Sequence, residues 1–150
     1  MKEISIIIPS RNEMFLRRTI DDILLRHETN IEIIAILDGV WDDIPQNELV
    51  NVIYLSESIG QRAATNMGVK LAQGKYVIKV DAHCAFEQGF DRKMLEAFEQ
   101  TGDSVCMVPI MRNLWAFDWK CYRCGWKTYQ GRTPEMCPNC EDSKKIRHKM

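Results

Sequence analysis

The sequence predicts an α/β chain: a mostly parallel sheet with helices on both faces, followed by a small C-terminal zinc ribbon. Three observations carry that reading. Short β-branched runs alternate with stretches of helical periodicity as far as Ile110, acidic and turn-forming residues gather just after the runs, and two Cys-x-x-Cys pairs follow. Alternation of this kind buries a parallel sheet between two helical layers.

Each element follows from its pattern. Residues 3–9, EISIIIP, form a β-branched strand, and residues 14–26 place Leu16, Ile20, Ile23 and Leu24 at helical spacing. IEIIAILDG at 31–39 reads as a second strand and NVIYLS at 51–56 as a third. A helix over 59–74 is closed by Gly74, KYVIKVDA at 75–82 is a fourth strand, a further helix spans 90–102, and SVCMVPI at 104–110 is expected as a fifth strand. Gly68 is expected to let the second helix lie close to the sheet. Met94, Leu95 and Phe98 read as core, Cys106 as a small core residue inside the fifth run, and Cys84 as buried.

Composition bounds the classes. With 150 residues, 45% hydrophobic and 27% charged, the chain suits one globular domain and a small appendage rather than disorder. The longest apolar runs are far short of a membrane span, and the N-terminus lacks the small-residue cleavage site of a signal peptide. A soluble, cytoplasmic protein is the expectation. The net charge of −1 conceals a division: residues 1–111 carry 11 Lys and Arg against 17 Asp and Glu, a net of −6, while 112–150 carry 9 against 4, a net of +5. Two segments are therefore expected, 1–111 as the α/β domain and 112–150 as the ribbon.

The cysteines mark the same division. Cys121, Cys124, Cys137 and Cys140 form two Cys-x-x-Cys knuckles with 12 residues between the inner members, a spacing that closes a tetrahedral Zn²⁺ site. Gly125 suits the turn that follows the first knuckle. Two disulfides would need an oxidising compartment, which the missing signal peptide argues against. A closed four-thiolate site has no position for substrate, so its zinc is expected to be structural.

In open parallel sheets ligands bind beyond the carboxyl ends of the strands. The residues there are PSRNE after the first strand, DG and DD after the second, and DAH after the fourth. Asp81 and His83, two apart on an extended segment, would share a face and reach one cation. A carboxylate oxygen with an imidazole nitrogen suits Mn²⁺ or a related divalent ion, whose free positions phosphate oxygens would fill. From these two residues alone a second reading stands equally: a strand-end turn in which Asp81 caps the next helix and His83 packs.

Taken in order, ISIIIPSRNE, AILDG and IGQRAATNMGVKLAQGKYVIKVDAHC resemble the nucleotide-sugar half of family 2 type glycosyltransferases with the Rossmann-like A-type fold, over roughly residues 3–100. The DAHC ending is similar to the Asp-x-His motif of polypeptide N-acetylgalactosaminyltransferases. That resemblance implies that Pro9, Arg11, Asn12 and Glu13 form a nucleotide-contacting turn and that Asp38 approaches the base and ribose. It implies that Arg62 and Asn66 shape the donor pocket, and that Asp81 and His83 bind Mn²⁺ or Mg²⁺ beside the nucleotide. Leu37 stands where the family has an acid, so a UDP-sugar is expected while the base is left open. Arg62 is also readable as an ordinary surface ion-pair residue, or near a helix start as a diphosphate partner.

The implied reaction is metal-dependent transfer of a sugar from a nucleoside diphosphate sugar to an acceptor. No catalytic base is selected by spacing: Asp118, Glu135, Glu141 and Asp142 are available, and His148 is the one His after His83. The chain looks short for a complete enzyme. In the ribbon, Trp115, Phe117, Trp119, Tyr122, Trp126 and Tyr129 stand among basic residues. Such faces would stack on sugars or bases, compatible with a nucleic-acid acceptor, or dock the module on its host. The competing function is a non-catalytic nucleotide- or nucleic-acid-binding zinc-ribbon protein on the same scaffold.

Overall fold

The computed structural model describes residues 2–110, 117–129, 135–142 and 145–149. The expected boundary at Arg112, together with Trp115 and the side chains of Phe117, Asp118, Tyr129 and His148, lies outside the described residues. Two compact units are present, residues 1–105 and residues 106–150.

The first unit contains β1 (Ile4–Ser10), α1 (Leu16–Arg26), β2 (Ile31–Asp38), β3 (Val50–Leu55), α2 (Gln61–Leu71), β4 (Tyr76–Lys79) and α3 (Phe90–Thr101). Its four strands form one parallel sheet in the order β3-β2-β1-β4. Every residue of β1 and β2 is buried, because both strands are central and covered on two faces. Side-chain alternation sorts them: Ile4, Ile6 and Ile8 with Ile31, Ile33 and Leu37 meet Leu16, Ile20 and Ile23 of α1 and Phe90 and Leu95 of α3. On the other face Ile7, Ile34 and Ile36 meet Ala64 and Met67 of α2. Gly68 is what allows that approach, since a Cβ there would lie 2.4 Å from Ile7 Cγ2.

Two buried acids tie loops to this frame. Glu32 accepts Ser5 Oγ–H at 2.5 Å and the Gln73 amide at 2.6 Å, closing the amino end of the sheet. Asp91, fully buried in the first turn of α3, accepts the amides of Glu28 and Thr29 and the Thr29 hydroxyl, the last at 2.7 Å. Burial opposes the Asp91 charge, but those donors outweigh it and hold its carboxyl below the ordinary range.

The expected fifth strand does not form. Residues 105–110 carry no regular structure, Val108 is 80% and Ile110 93% exposed, and Cys106 is exposed rather than core. A β-branched run becomes a strand only where a neighbour pairs with it, and Pro109 lacks one of the amides that pairing needs.

In the second unit β5 (Phe117–Cys121) is flanked antiparallel by β6 (Lys127–Tyr129) and β7 (Lys145–Lys149). The two knuckles repeat one hydrogen-bond pattern. Gly125 N donates to Cys121 O at 3.1 Å and Glu141 N to Cys137 O at 2.8 Å; Cys121 N donates to Trp126 O and Cys137 N to Asp142 O. Both end on a left-handed residue, Gly125 at φ 73° in the first and Glu141 at φ 56° in the second.

Candidate functional site

Strand order reverses at β1: the chain steps outward to β2 and β3, then returns to place β4 on the other side. The carboxyl ends of β1 and β4 therefore flank the switch point where such sheets bind ligands. Pro9 is buried at the end of β1, and the loop behind it carries Arg11 and Asn12 exposed and Glu13 half-buried. Asn12 takes φ 56°, a left-handed conformation that asparagine tolerates better than most residues and that bends the loop sharply.

The path after β4 differs from the extended one expected. Val80 N makes the last ladder bond, to Ile7 O at 3.0 Å, and residues 82–83 then turn. Asp81 is half-buried and pairs with the ammonium of Lys79, its neighbour two residues back. His83 is exposed, and its Nδ1 lies 3.5 Å from Glu13 Oε2. The β1 loop and the β4 loop thus meet through Glu13 and His83. This arrangement suits a metal-binding histidine, whose other ring nitrogen is ordinarily held by a carboxylate.

Asp38 is only 4% exposed, and both its oxygens are engaged: Oδ1 accepts the Ile59 amide at 2.7 Å, while Oδ2 accepts Ser58 Oγ–H at 2.8 Å and the Gly60 amide at 3.0 Å. Burial opposes its ionisation, but these bonds and the Arg11 guanidinium depress its pKa. Asp38 thereby fixes the segment that opens α2. Arg62 and Asn66 follow on α2, both exposed and four residues apart, so they share one side of the helix.

Three contributors were not signalled by motif. Ser10 Oγ at the end of β1 is buried without a hydrogen-bond partner among the described residues, although Ser5 at the other end of the strand is satisfied. Lys79 sits against Asp81. Thr19 of α1 bonds the backbone at residues 82 and 84. Only the alternation along β4 hints at any of them, since it puts Lys79 and Asp81 on one side.

In the second unit the Sγ atoms of Cys121, Cys124, Cys137 and Cys140 all lie within 4.8 Å of one another. Cys121 to Cys140 is 3.5 Å and Cys124 to Cys137 3.6 Å, close to the ~3.8 Å edge of a tetrahedron with Zn–S bonds of about 2.3 Å. Hydrogen bonds from the Asn139 side chain and the Trp126 backbone pull the Cys124 thiol down to about 6. The four thiols fit one tetrahedral ion.

Comparison with known proteins agrees with the fold. Staphylococcus aureus TarS, residues 1–349 in complex with UDP-GlcNAc, superposes with a TM-score of 0.59 at 14% identity, over 78% of this chain and 39% of that one. A parallel sheet with this switch point is thus the A-type glycosyltransferase architecture. The chain belongs to glycosyl transferase family 2, whose profile matches residues 5–135.

Among curated relatives, the teichuronic acid biosynthesis glycosyltransferase TuaG of Bacillus subtilis is 30% identical over 118 residues, 68% of this chain and 47% of that protein. An uncharacterized glycosyltransferase of Rickettsia felis is 33% identical over 93 residues, 56% of this chain and 15% of its own length. The chain spans less than half the length of these relatives. No helix among the described residues is long and apolar enough to cross a membrane.

Proposed function

We propose that the chain binds a nucleoside diphosphate sugar at the switch point and transfers the sugar to an acceptor, with Asp81 and His83 holding a divalent cation, Mn²⁺ or Mg²⁺. The observation that carries this reading is the meeting of Glu13 with His83, which joins the nucleotide turn to the metal loop. A uridine nucleotide is the expected donor, supported by the bound UDP-GlcNAc of the structurally similar TarS.

In transfer, the anomeric C–O bond to the diphosphate breaks as the acceptor oxygen forms a new one and gives up its proton to solvent, and negative charge gathers on the leaving diphosphate. Asp81 and His83 would hold a divalent ion, which would supply the countercharge that the leaving group needs. Glu13 orients the His83 ring. Lys79, paired with Asp81, adds a positive charge at the same edge. Asp38 holds the segment before α2, so Arg62 is presented in the first turn of that helix, where a positive side chain and the helix N-terminus both favour phosphate. The four cysteines hold a structural zinc that takes no part in the reaction.

The test is hydrolysis of a nucleotide-sugar panel with Mn²⁺, comparing the chain with its Asp81→Ala/His83→Ala variant. Slow hydrolysis that chelator and the double substitution each lower about 100-fold is expected, the size of effect that loss of transition-state charge stabilisation gives. Hydrolysis indifferent to both would overturn the metal assignment. Nucleotide binding without turnover of any donor would favour the non-catalytic scaffold.

A further inference from the structure

We infer that helix α1 is the template for the metal loop, with Thr19 as its positioning residue; this rests on Asp81 and His83 being the cation ligands. Thr19 is fully buried. Its Oγ1 lies 3.0 Å from the Ala82 carbonyl and 3.2 Å from that of Cys84, and it accepts the Cys84 amide at 3.1 Å. A hydroxyl has one proton, so it donates to one of the two carbonyls at a time while accepting the amide. Three residues along the helix, Asp22 Oδ2 accepts the Phe86 amide at 2.7 Å.

Residues three apart lie on one side of a helix. Loop residues 82, 84 and 86 are thus fastened to α1 at alternate positions, and His83 stands between two fastened neighbours. Beyond its own helix, the Thr19 hydroxyl reaches a segment more than sixty residues away in sequence.

The loop needs such a partner. After the Val80 bond to Ile7 the sheet ladder ends, and residues 84–87 belong to no helix or strand, so their backbone groups must find partners elsewhere. Apolar packing holds the same stretch down, with Ala82 buried in the core and the Phe86 ring 4.5 Å from that of Phe90. Packing alone leaves the rotation of the 82–84 peptides unspecified; the Thr19 hydroxyl specifies it. Because α1 begins directly after the Glu13 turn, one rigid helix sets the spacing of both halves of the site.

Thr19→Val tests this, since it keeps the side chain's shape and removes the hydroxyl. Mn²⁺ affinity is measured by the electron paramagnetic resonance of free Mn²⁺, with amide exchange at Cys84 and thermal melting on the same samples. The expected result is Mn²⁺ binding about tenfold weaker or more, the usual cost of losing an outer-shell partner. Cys84 exchange should be faster and melting still cooperative, while Thr19→Ser stays within about threefold of the parent. A folded Thr19→Val variant with unchanged Mn²⁺ affinity overturns the template. A parent chain that binds no Mn²⁺ overturns the ligand assignment and this role with it, so the two failures are distinct. Should Thr19→Val not fold, Asp22→Ala replaces it: Mn²⁺ binding weakened by about threefold or more, the worth of one hydrogen bond, with faster Phe86 exchange supports the template, and unchanged affinity rejects it.

Discussion

In the sheet unit β1 and β2 bury every residue they contain, and most of those residues are isoleucine. In the ribbon, Cys121 and Cys137 are the buried apolar residues among those described. The first unit spreads its stability over many side chains, each worth a modest amount, so it degrades gradually under substitution. The second unit has a short three-stranded sheet too small to supply a comparable core, so a metal held by its four gathered thiols would carry most of its stability. The two knuckles narrow the contrast further, since they repeat the same backbone pattern with glycine at the left-handed position in one and glutamate in the other.

Substitutions can break or sharpen this contrast. Cys121→Ser should have the largest effect, removing the zinc proposed for the four thiols and with it a binding free energy of about 10 kcal/mol or more. Metal analysis and loss of dispersed amide signals from residues 117–149 would register it, whereas retention of an ordered ribbon without zinc would break the contrast.

Next comes Asp91→Ala, expected to cost the sheet unit about 3 kcal/mol in denaturant unfolding because two backbone amides lose their buried acceptor. Its pH dependence has a definite sign. The folded pKa of Asp91 lies below the ordinary 3.8, so its contribution is complete above that value and is lost as the pH falls through the folded value. The parent should therefore weaken on acidification below about pH 4 more steeply than Asp91→Asn does.

Gly68→Ala should cost about 2 kcal/mol, since the new methyl must push Ile7 or lift α2 off the sheet. The smallest change runs the other way: Glu141→Gly should stabilise the zinc-loaded ribbon by roughly 0.5–1 kcal/mol by relieving its left-handed backbone, read as tighter zinc retention against a competing chelator. Equal retention would show that the two knuckles are not interchangeable.

Much of this was legible in the sequence, for reasons particular to certain residues. The two central strands are visible because two-sided burial leaves unbroken apolar runs such as residues 33–37, while β3 and β4 show the alternation of edge strands. Residues 104–110 have a similar composition but no strand partner among the described residues, and composition does not encode a partner. Asp81 and His83 are conspicuous as polar residues ending a strand, but the turn at 82–83 carries no periodic signal. Their associates Glu13 and Thr19 come from elements far away in sequence, and Thr19 looks like any small residue between Arg18 and Ile20. Asp38 was legible as a strand-end acid, while its grip on residues 58–60 depends on β3 lying beside β2, which only the fold reveals.

The return of the chain to β1 fixes when the β1 and β4 loops come together. Ile4 finds Tyr76 only after three crossovers have been completed. A growing polypeptide halted before that point would own a three-stranded platform, the Glu13 turn and the α1 helix, yet not the loop that carries Asp81 and His83. The proposed cation site would then be deferred to the last strand added to the sheet, and an error in that one docking step would disturb it while sparing most of the core.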